Sequence, residues 1–161
     1  MLTALILSSQ NGDINAVREL INRGVDINAR IDHGYTALYA ASQVGNSDIV
    51  RLLLDKGADV NVKNNTYGIT ALMSASLDGH TDVVRLLLDK GADVNVQANN
   101  GVTALMVASG GGYTDIVRLL LGKRADVNVK ENEYGFTALI GASRQGHDDI
   151  VKLLENHGAI K

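Results

Sequence analysis

The sequence predicts an all-α repeat solenoid, built from paired short helices with protruding β-hairpins, and three observations carry that expectation. One phrase returns four times at nearly constant spacing: Gly34-Tyr35-Thr36-Ala37-Leu38, Gly68-Ile69-Thr70-Ala71-Leu72, Gly101-Val102-Thr103-Ala104-Leu105 and Gly135-Phe136-Thr137-Ala138-Leu139. Its glycines stand 34, 33 and 34 residues apart, a period that means stacked supersecondary units rather than one globule. A second phrase closes the units, Gly57-Ala58-Asp59-Val60-Asn61 and Gly91-Ala92-Asp93-Val94-Asn95, with weaker copies over 24–28 and 124–128. Third, the pattern turns polar at its two ends.

Within a unit each element follows from local chemistry. Thr36 is placed to cap a short helix over 37–44, its hydroxyl accepting from an amide of the first turn. The pairs Ala41-Ser42, Ala75-Ser76, Ala108-Ser109 and Ala142-Ser143 keep that helix narrow for close packing. A second helix over 48–56 has only Asp48, Arg51 and Asp55 as a polar stripe against Ile49, Val50, Leu52, Leu53 and Leu54. So wide an apolar surface calls for neighbours on both sides. Gly57 then stands where a left-handed stop is needed, and Asp59-Val60-Asn61 leads into a hairpin ending near Gly68.

The ends test the stacking. Glu19 takes the place of Leu52, Leu86 and Leu119, and Glu155 that of Leu54, Leu88 and Leu121. Two residues are roughly 200° of helix, so the two positions face opposite ends of the stack. Terminal repeats need polar outer faces. The expectation is a capped, complete array forming one domain, with units near 1–28 (lacking a hairpin), 29–61, 62–95, 96–128 and 129–161.

These phrases resemble the ankyrin repeat family over essentially the whole chain. Alanine stands for the family's signature proline at Ala37, Ala71, Ala104 and Ala138, and Tyr39, Met73, Met106 and Ile140 for its histidine. The resemblance implies a non-catalytic protein-interaction module whose hairpin tips and first-helix ends line a concave binding surface. The variable tip residues there are Asp32, His33, Thr66, Tyr67, Asn99, Asn100, Glu133 and Tyr134. The row after each tip glycine is Tyr35, Ile69, Val102 and Phe136, and the helix ends supply Gln43, Leu77, Asp78 and Arg144. Four of the six aromatics sit at these tips, where tyrosine on a rigid support makes a good anchor. The rings either anchor a partner or pack between adjacent hairpins. Residues 60–76 resemble 127–143 more closely than the unit between, and both carry one additional hairpin residue.

Composition narrows the classes. A formal net charge of -3 without a basic cluster gives no nucleic-acid footprint. With no cysteine there is neither a disulfide framework nor a thiolate metal site. No apolar run approaches the roughly 20 residues of a membrane span, and the apolar opening lacks the basic segment of a secretory signal. The expectation is a soluble, cytoplasmic monomer without a cofactor, binding another protein. An inhibitor or antitoxin-like regulator, or an engineered scaffold, would use the same surface.

Other candidate sites have plainer readings. His80 and His147 share one repeat position and are expected to cap or bridge near the second helix. His33 and His157 have no zinc-ligand spacing around them. Gly110-Gly111-Gly112 lacks the continuation of a phosphate loop and suggests local looseness. Arg124 replaces the stop glycine, so a left-handed backbone there would carry strain. The acid column 48, 82, 115, 149 and the basic column three residues later predict i, i+3 pairs on each second helix. Asn64-Asn65-Thr66 fits a glycosylation sequon that reads as accidental.

Overall fold

The computed structural model describes residues 2–160, apart from the side chain of Leu2. Ten α-helices are described: α1 Leu2–Asn11, α2 Ile14–Asn22, α3 Ala37–Gln43, α4 Ser47–Asp55, α5 Ala71–Leu77, α6 Thr81–Asp89, α7 Ala104–Gly110, α8 Thr114–Gly122, α9 Ala138–Gln145 and α10 Asp148–Asn156. First helices stack on first helices and second on second, each layer touching the next. The core is continuous from Leu5 to Leu154.

The threonine caps form as expected. The hydroxyls of Thr36, Thr70, Thr103 and Thr137 accept from the amides of Tyr39, Met73, Met106 and Ile140 at 3.1, 3.3, 3.3 and 3.2 Å. Ala41-Ser42, Ala75-Ser76 and Ala108-Ser109 are buried between helices, so a larger side chain there would force the helices apart. On the second helices Leu53, Leu87 and Leu120 are fully buried, while Asp48, Arg51 and Asp55 face solvent. Leu52 lies beside Arg18, Ile21 and Asn22 of the preceding unit. Glu19 and Glu155 are exposed.

After each second helix the chain turns left-handed, at φ 79° for Gly24, 90° for Gly57, 85° for Gly91 and 89° for Gly158. Arg124 adopts the same turn at φ 63°, a conformation costing a non-glycine residue about 1 kcal/mol.

Beyond that turn, one asparagine per unit ties it to the next. Asn28 Oδ1 accepts from the Asp59 amide at 2.8 Å while its Nδ2 donates to the Gly57 carbonyl at 3.3 Å. Asn61 does the same for Asp93 and Gly91, Asn95 for Asp126 and Arg124, and Asn128 for Ile160 and Gly158. Four copies of this two-point bridge set the register of the stack along that edge.

Two expectations change. Among the described residues, no ion pair lies within a second helix at i, i+3. Lys90 Nζ meets Asp55 at 2.7 Å and Lys123 Nζ meets Asp89 at 3.7 Å, joining neighbouring units, and Arg23 pairs with Glu19 one turn away. Lys90 and Lys123 stand at helix C-caps, where a long side chain reaches across to the acid of the preceding helix. The projecting segments are also simpler than two-stranded hairpins. In the first three a tip glycine, Gly34, Gly68 or Gly101, donates its amide to the carbonyl of Ile31, Asn64 or Ala98. Every finger is closed at its base by a backbone hydrogen bond, and no β-ladder is present among the described residues. These closing bonds run from Ile31, Asn64, Ala98 and Glu131 amides to Tyr35, Ile69, Val102 and Phe136 carbonyls, at 3.1, 2.9, 2.9 and 2.9 Å.

Candidate partner-binding surface

The fingers alternate in length. Those at 31–35 and 98–102 close over five residues, those at 64–69 and 131–136 over six. The additional residue leaves loop amides to be satisfied, and one side chain meets that need in each long finger. Asn64 Oδ1 accepts from Tyr67 at 2.9 Å and Ile69 at 3.4 Å. Glu131 accepts from Tyr134 at 2.6 Å, Phe136 at 3.0 Å and Glu133 at 2.8 Å. Those amides, Phe136 first, hold the Glu131 carboxyl below its ordinary pKa, because donors favour the charged form. Asn64 is buried, which closes the sequon to glycan attachment.

Neighbouring fingers are stitched together. The amides of Asn65, Asn99 and Asn132 donate to the carbonyls of His33, Tyr67 and Asn100 at 2.7, 2.9 and 2.9 Å. Their side chains press on the preceding tip glycine: a Cβ on Gly34, Gly68 or Gly101 would come within 2.8, 2.5 or 2.6 Å of Asn65, Asn99 or Asn132. Thr66 Oγ1 and His33 Nδ1 lie 3.0 Å apart, and His33 takes a left-handed backbone at φ 63°. Behind the fingers, His80 Nε2 donates to the Gln43 carbonyl at 3.0 Å and His147 Nε2 to that of Gly110 at 3.1 Å. Both histidines therefore bridge, as the repeat position suggests.

Between fingers and first helices lies a cleft of about 300 Å³, spanning three units from Tyr39 to Val107. It brings together eight of the sixteen candidates: Gln43, Tyr67, Ile69, Leu77, Asp78, Asn99, Asn100 and Val102. Tyr67 and Leu77 are large apolar side chains left 60% and 55% exposed. Burial raises the Tyr39 phenol above its ordinary pKa, with the Asp78 carboxylate adding to the effect and a bond to the Ser74 side chain opposing it.

The other eight candidates lie outside this cleft. Tyr35 is half-buried against Tyr39, ring centroids 4.8 Å apart, with His33 at its edge at 6.5 Å. Asp32 is exposed beside His33, and Thr66 is engaged with it. Tyr134, 68% exposed, leans on Phe136 at 5.7 Å, and the Glu133 side chain beside it raises its phenol above the ordinary pKa. The Arg144 guanidinium covers the Phe136 ring at 4.2 Å, a cation–π contact. The two long fingers thus present their tyrosines differently, Tyr67 into a cleft and Tyr134 on an aromatic ledge.

The candidate set omitted Tyr39, Met73, Ser74, Ala98 and Val107, which form much of the cleft's wall. A signal for two of them was visible, since Tyr39 and Met73 are departures from the family's histidine. No group of three or more His, Asp or Glu residues able to hold a metal occurs among the described residues. No described helix is long and apolar enough to cross a membrane.

Residues 1–64 and 72–161 match the family profile for ankyrin repeats (3 copies), and residues 45–88 match that for ankyrin repeats (many copies). The chain belongs to the ankyrin repeat proteins. Repeats of this family are generally protein-interaction modules and are typically non-catalytic. No curated protein matches the sequence.

Proposed function

We propose that this chain binds a partner protein through the face formed by its fingers and first-helix ends, without chemistry of its own, acting as a cytoplasmic monomer in one five-unit domain. The observation that supports this most is the cleft between Tyr39 and Val107, where Tyr67 and Leu77 keep large apolar area exposed. Exposed apolar patches rimmed by polar groups mark interaction sites. The cross-finger hydrogen bonds support it further, because a preorganised surface loses little entropy on docking. Tyr134, Phe136 and Arg144 would form a second contact beyond the cleft.

The test removes both exposed tyrosines. A Tyr67→Ala, Tyr134→Ala variant should lose proteins that the unaltered chain retains from a lysate of its source, while its Tm stays nearly constant. Equal retention would contradict the assignment, and a large fall in Tm would make the rings packing residues instead.

A further inference from the structure

We propose that the cleft receives an arginine side chain from an apolar segment of the partner, its guanidinium paired with Asp78. The inference rests on the binding face assigned above and names what that face selects. At about 300 Å³ the cleft sits at the lower limit of small-molecule pockets, roughly 300–1,000 Å³. It has room for one or two side chains rather than for a cofactor. Ile69, Met73 and Val102 give it apolar walls, and Asp78 is the one carboxylate among the residues that line it, which include no Lys, Arg or His. Apolar walls with one carboxylate are the complement of a long side chain with an apolar stem and a cationic head.

Asp78 has no role in the stack that would account for it. It is exposed, enters no ion pair among the described residues, and stands at the C-cap of α5. That is the negative end of the helix dipole, where a carboxylate is disfavoured. The equivalent residues Val44 and Gly111 are uncharged, so the fold does not need a charge there. Arginine fits better than lysine for two reasons. Its planar fork of donors can serve both oxygens of the Asp78 carboxylate at once, which a lysine ammonium cannot match. The open ring of Tyr67 also offers a face on which a guanidinium can stack.

A phage-displayed library of random linear peptides, selected on the full chain, tests this. Enriched peptides are then synthesised and titrated by fluorescence anisotropy against the unaltered chain, Asp78→Asn, and a Tyr67→Ala, Leu77→Ala variant. Asparagine is tolerated at a helix end, and the melting curve checks each variant. The expected result is an arginine at one fixed place beside an apolar residue. Asp78→Asn should weaken those peptides about fivefold, the size of a partly exposed ion pair. Citrulline in place of that arginine should cost the same, with little further loss when the two changes are combined. Peptides that depend on Tyr67 and Leu77 yet lack arginine, accept lysine equally, or ignore Asp78→Asn would overturn the arginine assignment and leave the binding face standing. Peptides indifferent to the Tyr67→Ala, Leu77→Ala variant would overturn the binding face itself.

Discussion

The third and fourth units share a core and differ at almost every place where the core does not decide. Val83, Val84, Leu87 and Leu88 of α6 are buried as fully as Ile116, Val117, Leu120 and Leu121 of α8. Yet the first helix of the third unit ends in Leu77-Asp78, which line the cleft, and that of the fourth in Gly110-Gly111. The third closes on Gly91, the fourth on a strained Arg124. Asp89 holds Lys123 of the next unit, whereas Gly122 has no side chain to offer at the corresponding place. Packing does not require glycine at position 110, since a Cβ there would meet nothing within 4 Å. The comparison teaches that the stack sets the buried rows and the edge bridges. Residues at the face and at the stops can differ between units, the third ending its first helix in Leu77-Asp78 and the fourth taking Arg124 through a left-handed turn.

The largest effect should show the units to be alike. Leu87→Ala and Leu120→Ala should each destabilise by about 2–5 kcal/mol in urea unfolding, because both side chains are fully buried. A much smaller cost at Leu120 would mean the fourth unit is loosely packed throughout. Next, Asn95→Ala removes the two bonds its side chain makes to the fourth unit, with Asp126 and Arg124, and should cost about 1–2 kcal/mol. No change would show that the bridge is decorative.

A reciprocal exchange sharpens the difference. Arg124→Gly should stabilise by about 1 kcal/mol and Gly91→Arg destabilise by a similar amount. In the unaltered chain, α7 and α8 amides should exchange hydrogen faster than those of α5 and α6; equal protection would remove the asymmetry. The smallest effect is on pH. The lowered pKa of Glu131 means its contribution is full at neutral pH and is lost as pH falls through that value. Glu131→Gln should therefore flatten the acid limb of Tm against pH slightly, while the Asn64 finger, with no such group, contributes nothing to it.

Much of the stack was legible because its determinants are local. Thr36 before an apolar run, Gly57 after one, and Glu19 and Glu155 in place of leucine each announce their roles within one unit. What escaped depends on contacts between units. The repeated asparagine of Asn61 and Asn95 was visible, but its double bond to the next turn requires the offset between layers. Lys90 reaches Asp55 one unit back, a pairing that no single repeat displays. Asn64 and Glu131 look unrelated as residue types, yet both serve as acceptors for the loop of a long finger. The cleft draws on residues from Tyr39 to Val107, and no window of one repeat contains it. Eight of the cleft's lining residues were legible from the family resemblance, the row after each tip glycine and the variable register positions. Ala98 and Val107 of its wall were missed because they resemble ordinary core.

The central claim is that face and scaffold are separable. The most direct measurement replaces Gln43, Tyr67 and Leu77 together with alanine and follows both the melt and the binding of selected peptides. The account predicts a Tm within about 4 °C of the unaltered chain, on the order of 1 kcal/mol at this size, with binding lost. A collapse in Tm, or binding that persists, would contradict it.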